Sequence, residues 1–281
     1  MKIGIVGSTG VLGRAVIPLL AEQGHTVRAL ARSAAKAREL FPSDVQIVEG
    51  DLLDTNTDLN AFLSGCEGAA HLATAIPKDF NAPGAWDMNT RLRTEGTERL
   101  LRVALETGVG YYVQQSIVMA YPDHGDEWIT EDMPLDESRD VVITMEKLVR
   151  ELSADRMNWC MLRGGAFLGA GTAQDEEIAR LRAGTLRVPC DGRSFISPIH
   201  PADMGSAVAL AFAHTPRNVI LNINDEPLRL GDYFDRLAEA IGADKPPRDP
   251  AKPCPPSYRC SSQAARDILG WQPRHSIFPG A

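Results

Sequence analysis

The 281-residue chain has no CxxC pair, no internal repeat and no apolar run near the roughly 20 residues that a membrane-spanning helix needs. Its five cysteines (Cys66, Cys160, Cys190, Cys254 and Cys260) are scattered and odd in number. Neither a disulfide framework nor a zinc site is expected from them, and a reducing cytoplasm is. Positive charge is also scarce. Lys and Arg total 29 against 37 acids, a net charge of -8, which argues against the basic face that nucleic acid requires. The opening "MKIGIVGSTG" enters a strand and a glycine loop at once and lacks the apolar stretch of a secretory signal, again pointing to the cytoplasm. Hydrophobic residues make up 44% and charged residues 23%, ordinary for a globular protein whose partner is a small molecule.

Over the first two thirds, short apolar runs alternate with amphipathic ones. Strands are expected at "KIGIV" (2–6), "TVRAL" (26–30), "VQIVEG" (45–50), "GAAHLA" (68–73), "YYVQQS" (111–116), "WCMLR" (159–163) and "VILNIN" (219–224). Helices are expected at Leu12–Gln23, Thr90–Thr107, Val141–Leu152 and from His200 to His214. Continuously apolar strands separated by helices predict an α/β fold with a parallel sheet of about seven strands, covered on both faces. Near the end, "DKPPRDPAKPCPPS" (244–257) holds six prolines and reads as loop. A short helix follows, capped by Ser261 or Ser262 and ended by Gly270.

The densest chemical signal is "GIVGSTGVLGRAV". Gly7, Gly10 and Gly13 fall between the first strand and the first helix. Small residues there let the chain turn tightly and let backbone N–H groups approach a pyrophosphate at a positive helix end. The candidate loop is Gly7, Ser8, Thr9, Gly10, Val11, Leu12 and Gly13. The second strand ends "VRALARS", with no acid to hold a ribose 2′-hydroxyl. Arg32 stands there instead, with Arg14 near the loop, which favours NADP with NAD as the alternative.

These segments together resemble the extended short-chain dehydrogenase/reductase superfamily, in its NAD-dependent epimerase/dehydratase branch. The loop resembles that family's GxxGxxG. "GDLLD" resembles its adenine-contacting pair, here Asp51 and Leu52, and "HLAT" its segment after the fourth strand, giving Ala73 and Thr74 as cofactor contacts. "NTRLRTEGTERLLRVALETGVGYYVQQS", "LRGGAFLG", "IHPADMGSAVALA" and "ARDILGWQPRHS" follow in the family's order. The resemblance implies a doubly wound Rossmann domain over 1–163, completed by 195–224. It also implies a small substrate domain over 164–194 and 225–281, an active site between the two, and a homodimer built partly on Val141–Leu152.

The departures carry as much as the matches. The family's acid/base set is Ser/Thr, Tyr and Lys, with the last two spaced YxxxK. Here "ITMEK" gives Lys147 but puts Ile143 in the tyrosine's place. "QQSIVMAYP" puts Ile117 in the serine's place, with Ser116 one residue earlier. Two accounts of Lys147 stand side by side: a retained contact to the cofactor ribose, or a surface pair with Glu151. Among the tyrosines, Tyr121 matches the family's post-strand tyrosine and is the surviving phenol donor. The competing reading makes it a packing aromatic with its hydroxyl satisfied. Ser116 and Thr144 can donate but titrate poorly. His71 and His200 read as structural.

On the substrate side Arg193 is basic, but Ile196 falls where the family's phosphate arginine stands, so a nucleotide sugar is not expected. The acidic run 126–140 is a candidate lid. The favoured reading is an atypical NADP-dependent oxidoreductase that reduces a small-molecule carbonyl or activated double bond. Lys147, Tyr121 and Ser116 are its catalytic candidates. A cofactor-binding regulator or sensor, or an epimerase or isomerase with bound cofactor, are the alternatives.

Overall fold

Strands that are apolar on both faces can be buried only inside a sheet covered from both sides. The computed structural model describes residues 1–77, 79–80 and 82–280. It joins β1 (Lys2–Val6), β2 (Thr26–Ala31), β3 (Gln46–Glu49), β4 (Gly68–His71), β5 (Tyr111–Ile117), β6 (Asn158–Gly164) and a strand at Val219–Ile223 into one seven-stranded sheet. The order across it is Val219–Ile223, β6, β5, β4, β1, β2, β3. Pairing is parallel from β3 through β5, with Ile3 opposite both Val27 and Gly68 and Ala70 opposite Val113. The order reverses at β1, whose neighbours are β2 and β4. Ligands of open α/β sheets bind outside the carboxyl ends of the strands at such a switch point.

The described helices are, in chain order, α1 (Val11–Glu22), α2 (Ala34–Leu40), α3 (Leu59–Leu63), α4 (Asp87–Arg91), α5 (Thr97–Glu106), α6 (Asp140–Ser153), α7 (Gln174–Arg182), α8 (Pro201–His214), α9 (Leu230–Ala240) and α10 (Gln263–Leu269). α4 runs into α5 through a π-helical turn, Leu92–Gly96. None of the described helices is long and apolar enough to cross a membrane.

Chain contacts divide the molecule into two compact units. The first comprises 1–116, 137–162 and 205–220; the second comprises 117–136, 163–204 and 221–281. Segment 117–136 therefore clusters with the second unit, whereas the sequence reading grouped it with 1–163. Phe62, Leu63, Leu100, Leu101, Tyr112, Val149 and Met161 belong to one buried cluster of the first unit. At about 25 cal/mol per Å² of apolar surface, each large side chain of this kind contributes roughly 1.5–3 kcal/mol. The second unit has its own core in Leu168, Leu181, Val188, Tyr233, Phe234, Leu237 and Ile277.

The buried face of α6 is Val142, Met145, Glu146, Val149 and Ser153, with Leu148 and Leu152 partly buried against the same core. One expectation from the sequence needs correction. Cys190 and Cys254 form a disulfide across 64 residues, against the expectation of none. It ties the proline-rich loop, whose Arg248–Asp249 pairs with Val188–Pro189, to the segment after α7 within the second unit. At α10, Ser261 rather than Ser262 supplies the hydroxyl that accepts from the Gln263 amide, at 3.2 Å. Gly270 ends that helix in the left-handed conformation, φ 62°, as expected of a glycine in that place.

Candidate cofactor and active site

Gly7 leaves β1 with φ +83°, a conformation that costs a residue with a side chain but not glycine. A Cβ on Gly7 would sit 2.5 Å from the Ala73 nitrogen, and one on Gly13 would sit 2.2 Å from the Ser8 carbonyl oxygen. The loop is thus packed backbone to backbone against the exit of β4. Gly10 caps the 12-residue α1 with no side-chain hydrogen bond, and no acid lies in the first turn. A Cβ on Gly10 would meet only the Gly7 carbonyl, at 3.3 Å. An open, uncapped helix start with closely approached backbone suits a diphosphate. Not every loop residue faces outward. The Ser8 hydroxyl is buried and donates to the Leu30 carbonyl at 2.6 Å, pinning the loop to β2. Leu12 is buried in the core, whereas Thr9 is exposed.

On the β2–β3 side Arg32 is exposed and lines a pocket of about 450 Å³ with Glu49, Asp51, Asp54, Asn56, Thr57 and Asp58. Four carboxylates therefore share the space of one guanidinium. Each also accepts from a backbone amide: Glu49 from Ala34 (2.8 Å), Asp51 from Leu53 (2.9 Å), Asp54 from Asn56 (2.9 Å) and Asp58 from Ala61 (2.8 Å). No acid stands at the end of β2; these four arrive from β3 and the segment after it. Arg99 of α5 clamps that segment, donating to the Leu52 and Thr57 carbonyls at 2.7 and 2.9 Å; no motif marks it for this role. Leu52 is buried, Ala73 half-buried and Thr74 exposed.

At the position of the family's acid/base set, Lys147 lies 67% exposed with its ammonium 3.7 Å from Glu151. That is the surface pairing of the two accounts above. Ile143 is half-buried. The residues four apart that point inward are instead Val142 and Glu146. Ser116, fully buried near the end of β5, donates to Glu146 Oε1 at 2.8 Å. Arg150 reaches Glu146 Oε2 at 3.4 Å from the solvent side. Arg93, 2% exposed on the π-helical turn, places a second guanidinium near this carboxylate. Burial pushes the Arg93 pKa down to about 10, an effect that Glu146 opposes, so the group stays cationic at neutral pH. The Met145 sulfur receives Arg93 Nη1 at 3.5 Å and Gln114 Nε2 at 3.4 Å.

His71, at the end of β4, is fully buried; burial first, then the Arg93 charge, lowers its pKa to about 4. The neutral ring bonds the Leu92 carbonyl through Nε2 at 3.1 Å. Nε2 is therefore the protonated nitrogen, and Nδ1 is a buried acceptor without a hydrogen-bond partner. The Arg93 Nε–H is likewise buried and unpartnered.

Tyr121 belongs to the second unit and is 1% exposed. Its hydroxyl donates to Asn222 Oδ1 at 2.9 Å and accepts from Arg163 Nη1 at 2.5 Å. The Arg163 guanidinium also lies 4.9 Å from the ring centre. Burial pushes the phenol up to about 12, against the lowering effect of Arg163. Glu131 completes the group, accepting from the Asn222 amide at 2.8 Å. The phenol proton is thus already committed inside a buried network. His200 is held too, accepting from the Ala202 amide at 3.2 Å and stacking on His275 at 5.1 Å.

Comparison with known proteins agrees with this geometry. The family described as NAD(P)H-binding matches residues 7–187. A 3-diazoavenalumate denitrifying reductase of Streptomyces sp. is 30% identical over 98% of this chain and 97% of its own length. A 2-alkyl-3-oxoalkanoate reductase of Stenotrophomonas maltophilia is 27% identical over 86% of this chain and 76% of its own. Among solved structures, a dTDP-glucose 4,6-dehydratase from Streptomyces venezuelae with NAD bound superposes with a TM-score of 0.82. It is 20% identical, and the match covers 98% of this chain and 93% of that one; this likeness concerns the fold. The glycine cradle, the parallel sheet and these matches together place the chain in the NAD(P)H-binding family.

Proposed function

We propose that the protein is an NAD(P)H-dependent reductase whose acceptor takes up hydride without a proton delivered by the protein. The observation that carries this reading is the fate of the proton donors. Isoleucines stand at the positions of the serine and tyrosine, the Tyr121 hydroxyl is engaged by Asn222 and Arg163, and the Ser116 hydroxyl donates to Glu146. The amides of the loop Gly7–Gly13 would hold the pyrophosphate, with Asp51 and Leu52 on the adenosine side and Ala73 and Thr74 at the exit of β4. When bound, the reduced nicotinamide supplies hydride. The protein contributes binding, orientation and exclusion of water.

Carbonyls and activated double bonds remain acceptors, provided water or the substrate itself supplies the proton. An arenediazonium ion fits the site's chemistry more closely. Hydride adds to it, the carbon–nitrogen bond breaks and dinitrogen leaves, so ArN2+ plus hydride gives ArH plus N2 with no proton required. The Streptomyces relative is a 3-diazoavenalumate denitrifying reductase, which supports including this class. Arg32 supports NADP over NAD, although four carboxylates share its pocket. The test is to follow oxidation of NADPH and NADH with panels of aldehydes, enones and arenediazonium ions. Turnover of the diazonium panel is expected. Tight cofactor binding with silence across all three panels would favour the sensor reading instead.

A further inference from the structure

The strand order assigns the two halves of a dinucleotide. With a pyrophosphate at the β1 loop, one half would lie over β2 and β3, where Arg32 and Asp51 stand. The other would lie over β4 and β5, across the switch point. The carboxyl end of β5, whose penultimate residue is Ser116, would then be the floor of the nicotinamide half. Lys147 of α6 has its ammonium at the surface beside Glu151.

We propose that Glu146 is a positioning residue of the cofactor site. From α6 it grips Ser116 of β5 and faces Arg93 on the π-helical turn, so it sets the end of β5 beneath the nicotinamide half. Resting on the reading of the chain as a cofactor binder, this names the residue that orients the cofactor's reactive end.

Three observations carry it. The bond from Ser116 to Glu146 joins two side chains closed to solvent, where a charge-assisted hydrogen bond is strong and geometrically demanding. Arg93 supplies a cation on the opposite helix, so the carboxylate is buried with compensation. The chain also departs from α-helix at Leu92–Gly96, beside this pair. Such turns are uncommon and concentrate at functional sites. There the Leu92 carbonyl takes the ring of His71 from the end of β4. The ends of β4 and β5 are thereby both tied to the same cluster.

The experiment measures binding of NADPH and of 2′,5′-ADP, which carries only the adenosine half, to the full chain and to E146Q. Glutamine still accepts from Ser116 but leaves Arg93 uncompensated. NADPH affinity is expected to fall about tenfold or more, the scale of one charged hydrogen bond, while 2′,5′-ADP affinity stays within about twofold. Should E146Q fail to fold, S116A cuts the same link without unbalancing the buried charges, and a smaller loss of the same selective kind is expected. A role confined to stability would weaken both ligands together. Parallel loss of both, or no loss of either, overturns the proposal. Absence of turnover with every acceptor would count against the reductase reading alone, because both arms here read binding.

Discussion

Ser116 and Glu146 meet at 2.8 Å in a space closed to solvent, on the face of α6 that also buries Val142, Met145 and Val149. Lys147, the next residue along, is turned to the surface. Replacing Lys147 with alanine is accordingly expected to cost less NADPH affinity than E146Q, as titration of the two variants side by side would show.

Tyr121 is expected to act chiefly on stability. Y121F removes the oxygen that links Arg163 and Asn222, leaving buried polar groups short of a partner at about 1–3 kcal/mol. Chemical denaturation should show a lower midpoint with an unchanged slope. A stability equal to that of the parent would contradict the network's role.

His71 makes the stability of the folded state pH-dependent. Its pKa falls from 6.5 to about 4 on folding, so the unfolded chain binds more protons between those values. The contribution is complete above pH 6.5 and is lost as pH drops toward 4. It amounts to roughly 3 kcal/mol at about 1.4 kcal/mol per unit. The slope of stability against pH in that window should flatten in H71Q.

The glycine loop gives a steric test. G13A places a methyl 2.2 Å from the Ser8 carbonyl oxygen, backbone that cannot swing aside. Loss of cofactor binding and a destabilisation of about 1–3 kcal/mol are expected. G10A meets only one backbone atom, at 3.3 Å, and should fold normally. Thermal melts of both variants with and without NADPH would separate the two effects.

Cofactor choice is expected to depend on Arg32. R32A removes the only cation lining its pocket among the described residues and leaves four carboxylates. The ratio of NADPH to NADH affinity is expected to fall about tenfold or more, the scale of a charge-assisted contact. An unchanged ratio would move 2′-phosphate recognition elsewhere, with Arg14 the next candidate.

The sheet was legible because strands such as Ile3–Val6 and Ala69–Ala70 are apolar on both faces, and local composition alone betrays them. Gly7 and Gly13 were legible for a related reason: each occupies space that admits no side chain. What escaped depends on residues far apart in the chain. Glu146 reads as one more polar position on an amphipathic helix until Ser116 and Arg93 are brought to it. The acids around Arg32 come from β3 and the segment after it, invisible from the end of β2. Cys190 and Cys254 lie 64 residues apart, with nothing in their spacing to pair them. Tyr121 shows the same limit: local sequence leaves its phenol open between a free donor and a satisfied packing aromatic, and only Arg163 and Asn222, distant in the chain, show the hydroxyl engaged.

The proton question is answered most directly by single-turnover oxidation of bound NADPH by an arenediazonium ion, followed across neutral pH in light and heavy water. If the acceptor needs no acid from the protein, the rate should be flat with pH, the solvent isotope effect close to one, and deuterium from 4-deuterated NADPH should appear in the arene. A rate that follows the titration of a protein group, with a substantial solvent isotope effect, would contradict it.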